Sequence, residues 1–189
     1  MLVLKAYRFR IYPSQAQIAR LSAWEAACRY LWNLAHEQRL LGLSRERAER
    51  RYYTAFDQIN EITGLRADLS WLADVPRDVC NALLVNLDFA WQRCFKKLAR
   101  EPNFKRKFGE PPGLCAPHPK SFRIRGDRLI FPKIGNLRIR VHRDGYRCSS
   151  DHTRQAATGN LTPCNPATRQ RLGIRIVTVF AALKMPRLS

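Results

Sequence analysis

Three short segments of this chain alternate arginine with an apolar or aromatic residue. Residues 7–12 read Tyr-Arg-Phe-Arg-Ile-Tyr, residues 122–125 read Phe-Arg-Ile-Arg, and residues 137–141 read Leu-Arg-Ile-Arg-Val. A period of two is the signature of a strand with one face against a core and the other toward water. Residues two apart on a strand point to the same side. Arg8 and Arg10, Arg123 and Arg125, and Arg138 and Arg140 therefore form three like-facing pairs. Strands that share a sheet would gather all six guanidiniums on one surface. Pro13 ends the first segment. Gly126-Asp127 supplies a two-residue hairpin turn before a return strand over Arg128–Phe131, because glycine takes the positive φ such turns demand.

Between the first and second segments the period changes. Ser14 and Gln17 have the spacing of a capping box, and Ile18, Leu21, Cys28, Leu31 and Ala35 follow at helical intervals. This predicts a helix to about Leu41, with Gly42 as its stop. A second helix is expected after Ser44, with the stripe Ala48, Tyr52, Phe56, Ile59 and Ile62 and a cap at Gly64. Leu65–Val75 reads as a connection with one helical turn around Trp71-Leu72, and Pro76 suits a first helical position. Val79, Leu83, Leu87, Ala90, Cys94 and Leu98 mark the cleanest amphipathic helix, ending near Arg100. Pro102, Pro111, Pro112, Gly113, Pro117 and Pro119 then forbid regular structure around Lys105-Arg106-Lys107. Residues 144–189 repeat none of these patterns, and the sequence assigns them no fold.

Charge narrows the function. Thirty-four Lys and Arg against fifteen Asp and Glu leave +19, and residues 93–143 alone hold fifteen basic residues against three acids. Such an excess repels itself in the folded state and calls for an anionic partner. Arginine's planar fork matches phosphate oxygens, and Tyr12 and Trp32 are candidates for stacking on bases. The longest apolar stretch, Ile174–Leu183, is interrupted by Arg175 and falls well short of the roughly 20 residues a membrane span needs. Lys5, Arg8 and Arg10 break up the apolar start, so no secretory signal is expected. The six cysteines include no Cys-x-x-Cys pair, which leaves free thiols in a reducing cytosol as the expectation. His36, His118, His142 and His152 are isolated, and no phosphate-binding loop or nucleophile motif occurs. No catalytic residue, metal site or cofactor is expected.

Several of these elements together resemble the start of the transposon-associated OrfB/TnpB proteins. The likeness runs through Tyr7-Arg8-Phe9-Arg10-Ile11-Tyr12-Pro13-Ser14, then Arg29-Tyr30-Leu31-Trp32-Asn33. It continues in Val75-Pro76-Arg77-Asp78, Pro102-Asn103-Phe104-Lys105-Arg106-Lys107, Ser121-Phe122-Arg123 and Pro132-Lys133-Ile134-Gly135. It covers roughly residues 1–143. The resemblance implies an α+β fold, in which a small antiparallel, barrel-like wedge domain is split by an inserted bundle of three to four helices. The wedge would comprise 1–13 and 120–143, the helix-turn-helix-like recognition domain 14–101, and a Pro-rich basic linker 102–119. A divergent, poorly ordered tail would follow over 144–189. Members of the family are RNA-guided DNA endonucleases whose nuclease is RuvC-like. After Arg143 its motifs do not appear, so the expectation is a cytoplasmic, truncated fragment without nuclease activity of its own. It would bind structured guide-like RNA and duplex DNA. The arginine pattern and the resemblance pick out Arg8, Arg10, Tyr12, Arg77, Lys105, Arg106, Lys107, Ser121, Arg123, Arg125, Lys133, Arg138 and Arg140 as the nucleic-acid-binding set. The alternatives are a stand-alone helix-turn-helix regulator of an insertion sequence, reading DNA with helices 14–41 and 44–63, and a decayed fragment without function.

Overall fold

A computed structural model describes residues 2–108, 114–116, 122–140, 159–163 and 175–184, with the side chains of 2–9, 116, 159–163 and 175–184 excepted. The chain is α+β, and it divides into two units: Met1–Leu21 with Gly113–Ser189, and Ser22–Pro112.

The first unit is built on an antiparallel sheet. Its strands are β1 (Leu2–Tyr12), β2 (Leu114–Ala116), β3 (Arg123–Arg125), β4 (Arg128–Phe131), β5 (Gly135–Arg140), β6 (Gly159–Pro163) and β7 (Arg175–Lys184), in the order β2-β6-β7-β1-β5-β4-β3. The sheet's apolar face holds Ile11, Leu129, Leu137 and Ile139, each at most 3% exposed. Gly126 has φ +56° in the turn that joins β3 to β4, the backbone the sequence required there. The sequence suggested no strand beyond residue 143, yet the backbone of β7 pairs with β1 from Leu2↔Lys184 to Ile11↔Arg175. The β-branched run Ile174 to Val179 has the composition of a strand, but it lacks the alternation that marks a one-sided one.

The long helix α1 (Gln15–Ser44) begins in this unit. Its start is fixed by the expected capping box: the Ser14 amide donates to Gln17 Oε1 at 2.9 Å, and the Gln17 amide to Ser14 Oγ at 3.4 Å. The Gln17 amide group also donates to the carbonyls of Ile134 (3.3 Å) and Asn136 (3.0 Å), and the Arg20 guanidinium donates to that of Lys133. One glutamine thus caps the helix and clasps the β4–β5 turn.

The second unit is helical, formed by the rest of α1, α2 (Ala55–Asp68), α3 (Ser70–Asp74) and α4 (Arg77–Phe95). Four expectations are corrected here. Gly42 does not stop α1, which runs on to Ser44. It is a glycine because the chain returns against it: a Cβ there would lie 2.4 Å from the Arg51 carbonyl oxygen. Gly42→Ala is therefore expected to destabilise the protein by roughly 1–3 kcal/mol, the usual range for overpacking, readable as a lower urea midpoint with an unchanged slope.

The second helix starts at Ala55, not after Ser44. Its true start signal is Thr54 with Asp57, whose carboxylate accepts from the Thr54 amide (2.9 Å) while Thr54 Oγ1 accepts from the Asp57 amide (3.3 Å). The Thr54 hydroxyl, donating to Asp57 Oδ2 at 2.7 Å, and then the Thr54 amide hold the Asp57 carboxyl below its ordinary range. Gly64 lies inside α2 and is no cap.

The amphipathic helix α4 ends at Phe95, short of Arg100. Lys97 takes φ +57°, the Leu98 amide donates to the Arg93 carbonyl (2.9 Å), and the Lys97 amide donates to that of Cys94 (2.9 Å). This is a Schellman stop with lysine where glycine is usual.

Sequence periodicity gave no hint of how the helices are tied together. Arg39 of α1 is fully buried and donates to Gln58 of α2 (2.9 and 2.7 Å), Tyr52 Oη (2.9 Å) and Asp88 of α4 (3.0 Å). Tyr52 also donates to Asp88 at 2.8 Å. Burial works against the Arg39 charge, and the Tyr52 and Asp88 oxygens offset it. Burial likewise raises the Tyr52 phenol, helped by its bond to Asp88.

Candidate nucleic-acid interface

The register of the sheet decides whether the arginines converge. Arg10 lies directly opposite Arg140 and Tyr12 opposite Arg138 across β1 and β5. Arg138 lies opposite Arg128 across β5 and β4, and Arg128 opposite Arg125 across the hairpin. Directly opposed residues share a face, as do residues two apart. Arg10, Arg123, Arg125, Arg128, Arg138 and Arg140 therefore occupy one side, all of them exposed. Ile11, Ile139, Leu137 and Leu129 occupy the other side, in the core.

Electrostatics make this face unusual. Like charges directly opposite on a sheet destabilise it, and here Arg10 meets Arg140, Arg138 meets Arg128, and Arg128 meets Arg125. The face positions paired on β3, β4, β5 and the described end of β1 include no carboxylate. Asp127, in the turn, lies 3.9 Å from Arg128 with both side chains 64% exposed, a geometry that contributes little. Tyr12, 41% exposed, stands among the guanidiniums and offers an aromatic face.

The remaining predicted residues fall elsewhere. Lys133 sits in the β4–β5 turn with φ +63°, and its carbonyl accepts from Arg20. Arg8 lies on β1 with its side chain outside the described residues, and Ser121 lies outside them entirely. Arg77 opens α4 in the helical unit and is exposed. Lys105, Arg106 and Lys107 belong to that unit too, in a segment pinned to α1. Asn33 donates to the Lys105 carbonyl (3.1 Å) and accepts from its amide (2.7 Å), as a neighbouring strand would. Trp32 is not a stacking platform: it is 9% exposed, donates from Nε1 to the Asn103 carbonyl at 3.1 Å, and lies under the Lys105 ammonium at 5.1 Å. Arg128 shares this face but was absent from the predicted set, although a two-residue turn at 126–127 places 128 opposite 125.

The pinned segment covers a titratable group. His36 of α1 is fully buried beside the Trp91 and Phe104 rings, with Nε2 3.9 Å from the exposed Glu101 carboxylate. Burial pushes its imidazole below the ordinary value of 6.5, against the pull of Glu101. Above 6.5 folded and unfolded chains both hold it neutral. As pH falls below 6.5 the unfolded chain takes up the proton first, so stability drops by at most about 1.4 kcal/mol per pH unit until the folded value is passed. Melting temperatures between pH 7.5 and pH 5.5, the range around the imidazole value, should fall more steeply for the parent than for His36→Phe. Parallel curves would contradict a neutral buried imidazole.

Cys28 and Cys80 are buried, Cys80 Sγ accepts from the Arg66 guanidinium at 3.4 Å, and burial raises the Cys28 thiol far above its ordinary value. Among the described residues no helix is long and apolar enough to cross a membrane.

Comparison with known proteins agrees with the resemblance read from the sequence. Residues 1–40 match the OrfB IS605 family described as a helix-turn-helix domain. In this structure that span comprises β1 and most of α1. Over 144 residues the chain is 25% identical to InsQ of Escherichia coli (strain K12), which bears the provisional description RNA-guided DNA endonuclease. The match takes in 74% of this chain and 34% of that relative, so the chain spans about a third of the relative's length. The chain is thus similar to OrfB/TnpB-type proteins, through its first 40 residues to the family and over 144 residues to this relative.

Proposed function

We propose that this chain is a nucleic-acid-binding region that grips phosphate backbones with the arginine face of its sheet, without nuclease activity of its own. Its ligands are structured, guide-like RNA and duplex DNA. The observation that carries the reading is the register: three directly opposed arginine pairs on an exposed face whose partners include no carboxylate. A fold that accepts such repulsion gains when a polyanion neutralises it. Tyr12 adds a stacking surface at the β1 end. A helix-turn-helix docking through α1 and α2 is the weaker reading. Such motifs join their helices by a turn of about 3–4 residues, whereas residues 45–54 separate these two.

The test is a salt series. Binding to a duplex and to a structured RNA should weaken linearly on logarithmic axes, with a slope near −0.9 for each DNA phosphate contacted. Affinity indifferent to salt would refute the reading. Cleavage of either ligand by the purified chain with added Mg²⁺ would refute its non-catalytic part.

A further inference from the structure

Residues 54–92 run against the charge of the chain as a whole, with six carboxylates against Arg66 and Arg77 in a protein of net charge +19. Within the helical unit a groove of about 390 Å³ opens between α1 and α2. Leu31, Leu34 and Leu41 form one wall, Ile62 and Leu65 the other, and Leu84 of α4 also lines it. Glu37 and Glu61 are its charged lining residues, and neither lysine nor arginine contributes. Leu41 is 60% exposed and Leu34 36%, and the surface continues along α1 to Tyr30, 51% exposed. There the Trp71 ring, 44% exposed, meets Tyr30 edge-on at 5.2 Å. One exposed leucine is ordinary. A line of apolar side chains beside an open groove marks an interaction surface.

Spacing and charge together define the occupant. Leu31, Leu34, Gln38 and Leu41 are three, four and three residues apart, the seam along which helices interlock. The α2 wall repeats the pattern with Gln58, Ile62 and Leu65, four and three apart. Two such ridges side by side accept a third helix. Carboxylates at the groove repel phosphate and attract ammonium or guanidinium groups. We infer that this groove receives an amphipathic helix of a partner protein, with leucine-like anchors about one turn apart and lysine or arginine at its flanks. The surface is chemically opposite to the arginine face and independent of it.

The probe is a fluorescent helical peptide of about four turns, with leucines three and four apart and lysines flanking them, titrated into the full chain by anisotropy. Its cations are repelled by the protein's net charge, so saturable binding requires a site built for it. Leu34→Ser with Leu41→Ser should weaken binding roughly tenfold or more, and Glu37→Lys several-fold. These positions are exposed, and melting temperatures equal to the parent's would show the fold intact. A peptide with serine for leucine should not bind. Arg123→Gln, Arg138→Gln and Arg140→Gln together should not weaken the peptide affinity, which separates this site from the nucleic-acid face. Equal binding by the parent and the leucine variants overturns the inference. So does self-association of the chain that Leu41→Ser abolishes, which would assign the groove to a second copy.

Discussion

Arg123→Gln, Arg138→Gln and Arg140→Gln combined are expected to reduce nucleic-acid affinity across all sequences and flatten its salt dependence by roughly 2.7, about 0.9 for each DNA phosphate that the variant no longer neutralises. The arginines are exposed, and their aliphatic stems point away from the core leucines, so the fold should survive. Stability should even rise. Arg138 faces Arg128 and Arg140 faces Arg10, so the variant relieves two like-charged cross-strand pairs, each worth about 0.2–1 kcal/mol. Glutamine keeps the length and polarity while removing the charge, which isolates the electrostatic part of the grip. The check pairs a salt-dependent gel-shift series with a thermal melt. Weaker binding with a preserved or raised melting temperature is the expected outcome. An unchanged salt slope would mean that these arginines do not meet phosphates. A fall in both quantities would mean that they hold the sheet together.

The second large effect concerns the helical unit. Asp88→Ala should cost about 3–5 kcal/mol, because it leaves the fully buried Arg39 charge without its carboxylate. Removing both charges, with Arg39→Met beside Asp88→Ala, should cost clearly less than Asp88→Ala alone, since no uncompensated ion then remains in the core. Urea midpoints of the two single variants and the double variant form a cycle that measures the coupling. Purely additive losses would show that the pair is no unit. Tyr52 and Gln58 lean on the same guanidinium, so part of the coupling passes to them.

How much of this was legible in the sequence follows from the range of each signal. Alternation is local, so the two faces of β1, β3 and β5 could be read directly, and a two-residue turn at Gly126-Asp127 fixes the β3–β4 register within itself. The pairing of Arg10 with Arg140 could not be read, because no short turn connects β1 to β5 and nothing in either segment specifies its partner. The helix starts show competition between signals. The apolar stripe through Ala48 and Tyr52 suggested a helix from Ser44, but Tyr52 is drawn off to Arg39 and Asp88, and the Thr54–Asp57 box sets the start ten residues later. Gly42 carried the letter of a stop signal and the role of a close approach. The Arg39 network was invisible, because its members come from three separated segments and no period relates them. Of the candidate site, the strand arginines were found because strands announce their faces. Arg77 and Lys105 to Lys107 rest on the family likeness alone.

The opposed arginines also give dissolved ions two contrary jobs. Mobile counterions crowd around clustered positive charge and soften its self-repulsion, so moderate salt should raise the melting temperature of the free protein. The same ions compete for the phosphates and loosen any complex. On the proposed function, a sheet assembled this way would be firmest in solution when its grip is weakest, and without ligand most strained in dilute buffer, where it would bind hardest.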